Sequence, residues 1–149
     1  MVDDIQNDLK QAQLARDEIK VSTLRLLLSE IKNAQIALRQ SSGQAISDEQ
    51  IISVVQKEIK KRKEAAVGFR SGNREESALK EEAEAKVLEA YLPAQMSVEE
   101  LTKIVEETIT ELGASSVADM GKVIGAVMGK VKGKTDGGSV SAIVKQKFS

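Results

Sequence analysis

Between Val21 and Gln40 apolar residues return at every third or fourth position: Leu24, Leu27, Leu28, Ile31, Ala34 and Leu38. This spacing puts them on one side of a helix and predicts a long amphipathic helix over that stretch. Upstream, Ile5, Leu9 and Ala12 mark a shorter helix of the same kind. A bend is expected near Arg16 to Lys20, with Asp17 placed to cap the helix that follows. Ser41-Ser42-Gly43-Gln44 ends the long helix, because glycine accepts the left-handed backbone just past a helix terminus.

Ser47 followed by Gln50 has the spacing of a capping box, and Ile51, Ile52, Val55, Ile59, Ala66 and Phe69 keep helical register to about Arg70. Gly72 and Asn73 break the pattern. Asn73 with Glu76 reads as another start signal, and Leu79, Ala83, Val87, Leu88 and Tyr91 form a fourth stripe. Four helices with short connections and one apolar stripe each are expected to pack as antiparallel neighbours over residues 1–94.

The segment Leu92-Pro93-Ala94-Gln95-Met96 is read as a linker, since Pro93 disfavours helix at Leu92 and Ser97 with Glu100 opens a fresh capping box. Val98, Leu101, Ile104, Val105, Thr108, Ile109 and Leu112 then run to Gly113. A helix capped by Ser116 is expected from Val117 to about Val131, and a last one from about Ser139 to Phe148. Residues 97–149 thus form a small three-helix domain. The predicted fold class is all-α, a four-helix N-terminal domain followed by this smaller one.

Composition narrows the chemistry. Aromatics are 2% of the chain and there is a single proline, so the cores must be built from Leu, Ile, Val, Ala and Met, and a β-sandwich or barrel has no support. The chain has no Cys, which excludes disulfides and thiolate metal sites. With an acidic Met-Val-Asp-Asp-Ile start, unlike a signal peptide, and no stretch long enough to span a bilayer, the expected location is cytoplasmic, away from any membrane. The net charge is −1, from 22 basic and 23 acidic residues, so any nucleic-acid binding must come from a local patch.

His is absent, and with it the usual acid–base group at neutral pH. Ser or Thr nucleophiles would need a lysine base, and the candidate lysines fall on exposed helix faces where nothing lowers their basicity. No catalytic residue is therefore assigned, and the chain is not expected to be an enzyme on its own. Glu75, Glu76, Glu81, Glu82 and Glu84 lack a His to complete a bundle-type metal site and read as a solvated face. No metal and no cofactor are expected.

Two basic segments remain. Lys57, Lys60, Lys61, Arg62 and Lys63, extended by Arg70 and Arg74, make an interrupted stripe, read first as a solvated face paired with Glu58 and Glu64 and second as a phosphate-contacting surface. The more unusual segment runs from Met120 to Lys130, with Gly121, Gly125 and Gly129 four apart on one helical face. Glycine costs up to about 1 kcal/mol relative to alanine inside a helix. Three in register suggest either tight internal packing or the close approach of another backbone or ligand. Directly after come Lys130, Lys132, Gly133, Lys134, Thr135, Asp136, Gly137 and Gly138, a basic, glycine-rich connection into a helix N-terminus, suited to holding an anion such as an RNA phosphate. Gly133-Lys134-Thr135 imitates the end of a P-loop, but the preceding strand is missing.

Met120-Gly121-Lys122-Val123-Ile124-Gly125 through Lys132-Gly133-Lys134-Thr135-Asp136-Gly137 resembles the tail of the B subunit of tRNA-dependent amidotransferases, and Ser22-Thr23-Leu24-Arg25 with Tyr91-Leu92-Pro93 resembles the stand-alone members of the GatB/YqeY family. The resemblance spans nearly the whole chain. It implies a helical domain with a three-helix tail, the part that in the amidotransferase engages tRNA while a separate catalytic domain, absent here, does the carbon–nitrogen ligation with glutamine as amido donor. Carried over to this chain, the implied RNA-binding residues are Lys122, Lys130, Lys132, Gly133, Lys134, Asp136 and Gly137.

Three functions are weighed. The first is a non-catalytic tRNA-binding protein. The second is an accessory module of a partner amidotransferase or other glutamine-dependent carbon–nitrogen ligase. The third is a purely structural helical adaptor whose glycine face packs internally.

Overall fold

A computed structural model describes residues 1–149 and contains helices only. They are α1 (Val2–Leu14), α2 (Glu18–Ser42), α3 (Asp48–Ser71), α4 (Glu75–Glu89), α5 (Val98–Leu112), α6 (Met120–Val131) and α7 (Gly137–Phe148), with a short 3-10 turn at Val117–Asp119 before α6. The chain divides into two compact units, Met1–Leu92 and Pro93–Ser149. No helix is long and apolar enough to cross a membrane.

In the first unit the core is made by one stripe from each helix: Ile5 of α1, Leu24, Leu27 and Ile31 of α2, Ile51, Val55 and Ile59 of α3, and Ala85 and Leu88 of α4. Each large side chain so buried contributes about 1.5–3 kcal/mol, so the core is what holds these helices together. Asp17 caps α2 by accepting from Lys20 N, which starts that helix at Glu18, earlier than the apolar pattern suggests. The Ser47–Gln50 capping box is formed in full.

The turn between α3 and α4 departs from expectation. Asn73 does not cap α4; it takes the left-handed conformation itself, with φ +59°, and α4 begins after Arg74 with no side-chain cap. Arg74 N donates to Phe69 O at 2.8 Å, closing the C-terminus of α3 in a Schellman-like turn. The stripe of α4 meets the core at Val87, Leu88 and Tyr91 but is displaced at its start. Leu79 is exposed, and the buried positions are Ala78, Ala85 and Leu88.

Arg62 is the other surprise on α3. It lies in the core register with Val55 and Ala66 and is only 7% exposed. Its guanidinium donates to Glu58 Oε2 at 2.9 Å and to Glu84 Oε2 at 3.3 Å, joining α3 to α4 through a buried carboxylate–guanidinium–carboxylate triad. Lys61 adds a pair to Glu58 at 3.3 Å, Lys60 pairs with Glu64, and Lys63 reaches Glu89 on α4. Arg70 engages Glu75 and Glu82, and Arg74 lies over the Phe69 ring at 5.2 Å. Most of the basic stripe of α3 is thus spent on the unit's own carboxylates, and it does not present the open phosphate-contacting surface weighed above.

The second unit packs Leu101 and Val105 of α5 against Val123, Val127 and Val131 of α6 and Val140 and Val144 of α7. Ser97 and Glu100 form a complete capping box at α5, and Gly113 ends that helix in the left-handed conformation. Ser116 does not cap α6: its hydroxyl makes no cap hydrogen bond, and the chain passes through the 3-10 turn before α6 begins at Met120. The last helix starts at Gly137, earlier than its apolar residues indicate, because Asp136 caps it by accepting from Ser139 N at 2.6 Å.

Candidate nucleic-acid interface

On α6 each core valine follows a glycine by two residues, about 200° further round the helix. Val123, Val127 and Val131 face the core, so Gly121, Gly125 and Gly129 face solvent. A Cβ built on any of these three glycines meets nothing within 4 Å. Internal packing does not account for them. They form a bare backbone ridge, and Lys122, in register with Gly125 and Gly129 on the same face, stands beside it as an exposed ammonium with no carboxylate partner.

The turn after α6 is built by two successive left-handed residues, Lys132 at φ +28° and Gly133 at φ +83°. Gly133 meets this requirement without steric cost; Lys132 does not. The turn is held from outside. Met96 N donates to Lys134 O at 2.9 Å, and the Gln95 side-chain amide donates to Gly133 O at 3.3 Å and to Pro93 O at 2.8 Å. Gln95 and Met96 read in sequence as linker, with no signal beyond the nearby proline that they would brace a turn some forty residues later. Lys132 and Lys134 are both exposed on it, while Thr135 is buried.

The implied RNA-binding residues do not all share this surface. Lys130 is turned toward α5, where its ammonium lies 2.7 Å from Glu111 Oε2 and donates to Thr108 Oγ1 at 3.0 Å. Asp136 is the N-cap of α7 and places a carboxylate over the backbone N–H groups that were expected to receive an external anion. Gly137 is the first residue of α7, not part of the loop. The connection between α6 and α7 is shorter than the basic, glycine-rich stretch 130–138, and the helix N-terminus it leads into is already occupied. Lys122 and Lys134 remain exposed beside the glycine ridge and on the turn after it, with Lys132 and Gly133 forming the left-handed bend of that turn.

No group of three or more His, Cys, Asp or Glu side chains is arranged to hold a metal ion. In the second unit Glu111 pairs with Lys130 at 2.7 Å and Glu106 with Lys147 at 2.6 Å.

The sequence matches the model of the family described as Yqey-like protein over residues 2–148. Altered inheritance of mitochondria protein 41, mitochondrial, from Vanderwaltozyma polyspora is 34% identical over 110 residues, covering 72% of this chain and 58% of that protein. The protein of the same name from Saccharomyces cerevisiae is 32% identical over 88 residues, 59% of this chain and 46% of its own length. That from Eremothecium gossypii is 32% identical over 110 residues, with shares of 72% and 58%. The chain spans about half the length of the curated relatives it matches. These relatives are named as mitochondrial proteins, which overturns the cytoplasmic expectation: a chain without Cys carries no information that separates one reducing compartment from another.

Proposed function

Because the chain belongs to the YqeY-like protein family, we propose that it is a non-catalytic tRNA-binding protein whose contact surface is the glycine ridge of α6 and the turn after it. The two units, taken as domains over 1–94 and 97–149, divide the work: the second contacts RNA and the first orients it. The observation that carries this reading is the outward aim of Gly121, Gly125 and Gly129, with open space above them and Lys122 alongside. A ridge without Cβ atoms lets a sugar–phosphate backbone come close, and Lys122 and Lys134 supply the charge. Recognition is by shape, since the second unit has one aromatic, half-buried Phe148, and thus almost no platform for stacking bases.

Fluorescence anisotropy with tRNA at low salt tests this. Binding is expected with a shallow salt dependence, reflecting about two to four neutralised phosphates, and replacing Lys122, Lys132 and Lys134 by Glu is expected to abolish it. Absence of binding, or binding indifferent to the three replacements, rejects the reading.

A second reading is favoured by a different observation. In the first unit Leu14, Ile19 and Leu26 are exposed at 79%, 39% and 53%, and Ile19 and Leu26 lie two helical turns apart on one face of α2. An apolar face of this kind suits docking onto a partner such as a glutamine-dependent carbon–nitrogen ligase. Co-purification of such a ligase, lost on changing Ile19 and Leu26 to Lys, supports it; recovery of tRNA without a protein partner counts against it.

A further inference from the structure

The corner between α1 and α2 holds a second basic feature, unrelated to the glycine ridge. A depression of about 360 Å³ is lined by Gln13 at the end of α1, Arg16 in the turn, and Glu18, Val21, Ser22 and Arg25 along the first two turns of α2. The motif Ser22-Thr23-Leu24-Arg25 divides across the helix at this point. Thr23 and Leu24 are fully buried, whereas Ser22 and Arg25 face outward and line the depression.

The two arginines are what set this corner apart. Arg62 and Arg70 are satisfied by carboxylates and Arg74 by an aromatic ring, and Arg39 stands in the last turn of α2. Arg16 and Arg25 are exposed and engage no carboxylate, although Glu18 lines the same depression. Arg25 lines the depression from the second turn of α2 and Arg16 lines it from the turn that precedes that helix. Two guanidiniums lining one depression attract an anion there more than either does alone.

Arg16 is also held at φ +57°, with Arg16 N donating to Gln13 O and Asp17 N to Ala12 O. Glycine and asparagine are the residues that take this helix-ending conformation readily. An arginine there spends backbone energy that its own side chain does not recover inside the protein.

We propose that this depression binds a phosphate group through Arg16 and Arg25, with the Gln13 amide as a further donor. Guanidinium forks match phosphate oxygens in pairs. Glu18 stands at the rim as a like charge to the ligand and limits the site to a single anionic group. The site is independent of tRNA binding by the second unit: the phosphate belongs either to a small phosphorylated molecule or to a nucleic-acid backbone, and the test separates these.

The test follows the arginine side-chain and Val21–Ser22 backbone NMR signals of the full chain, titrated with inorganic phosphate at constant ionic strength. Saturable shifts at Arg16 and Arg25 are expected. Arg16→Gln or Arg25→Gln is expected to weaken binding about tenfold, Arg39→Gln to leave it unchanged, and Glu18→Gln to tighten it. Arg16→Gly separates binding from strain: it is expected to raise the melting temperature while weakening phosphate binding as Arg16→Gln does. Displacement of the phosphate by a short oligoribonucleotide identifies a nucleic-acid backbone as the source, and failure of displacement identifies a small phosphorylated ligand. Shifts that do not saturate, or that persist in Arg16→Gly with unchanged affinity, overturn the proposal.

Discussion

The phenol of Tyr91 donates a hydrogen bond to Asp8 Oδ2 at 2.5 Å, tying the end of the first unit to its first helix across 83 positions of chain. Partial burial raises the ionisation of Tyr91 above its usual value of 10.0, and the Asp8 hydrogen bond and the negative charges of Asp8 and Asp4 raise it further. The folded state therefore keeps the phenolic proton at pH values where the unfolded chain gives it up. This contribution is fully present below about pH 10 and is lost as pH rises toward the folded-state value. Tyr91→Phe is expected to cost about 1 kcal/mol near neutral pH and to flatten the alkaline decline, both read from urea unfolding followed across pH.

Arg62 presents the opposite situation, a charge that the core itself encloses. Removing it leaves Glu58 and Glu84, both nearly buried, facing each other without their shared cation. Arg62→Ala is expected to destabilise the first unit by about 3–5 kcal/mol, whereas replacing Glu58, Arg62 and Glu84 together by Leu, Met and Leu is expected to be close to neutral or stabilising. Urea unfolding of the three chains compares these outcomes; equal losses in both variants would show that packing, not charge, sets the cost.

Gly125 lies on the solvent side of α6, where a methyl group meets nothing within 4 Å. Gly125→Ala is expected to stabilise the second unit by up to about 1 kcal/mol. If the bare ridge is the contact surface, the same change weakens tRNA binding. Calorimetry and anisotropy on one variant thus move in opposite directions, and a rise in both would remove the ridge from the interface.

Glu111 engages the Lys130 ammonium at 2.7 Å. Glu111→Gln is expected to release that ammonium, tighten tRNA binding and steepen its dependence on salt by about one phosphate contact. Glu107→Gln serves as the control for simple loss of negative charge on α5. Equal effects of the two variants would mean that Lys130 gains nothing from its release.

Local rules decided most of the helical scaffold. The capping boxes at Ser47–Gln50 and Ser97–Glu100, the cap at Asp17 and the left-handed Gly43 and Gly113 are interactions within four residues, and they are present as the sequence spells them. Where the reading failed, a local signal had a rival. Asn73 can cap a helix or take a positive φ, and the C-terminus of α3 claimed it for the second role. At the start of α4 the apolar neighbours Ala78 and Leu79 compete, and the smaller one is buried while Leu79 is exposed. Asp136, counted among the RNA-binding residues, was claimed by the end of α7.

By itself the sequence determined an all-α chain, because its 3.6-residue periodicity, scarcity of aromatics and single proline act through backbone geometry alone. The tertiary structure decided which charges stay available. Arg62 and Lys130 carry the same formal charge as Arg25 and Lys122, yet the first two meet carboxylates from other helices and the second two meet none. Whether the glycines of α6 faced core or solvent was settled in the same way, by which side of the helix its valines buried. Spacing along a chain places side chains on a helix face, but only the neighbouring helices determine what that face meets.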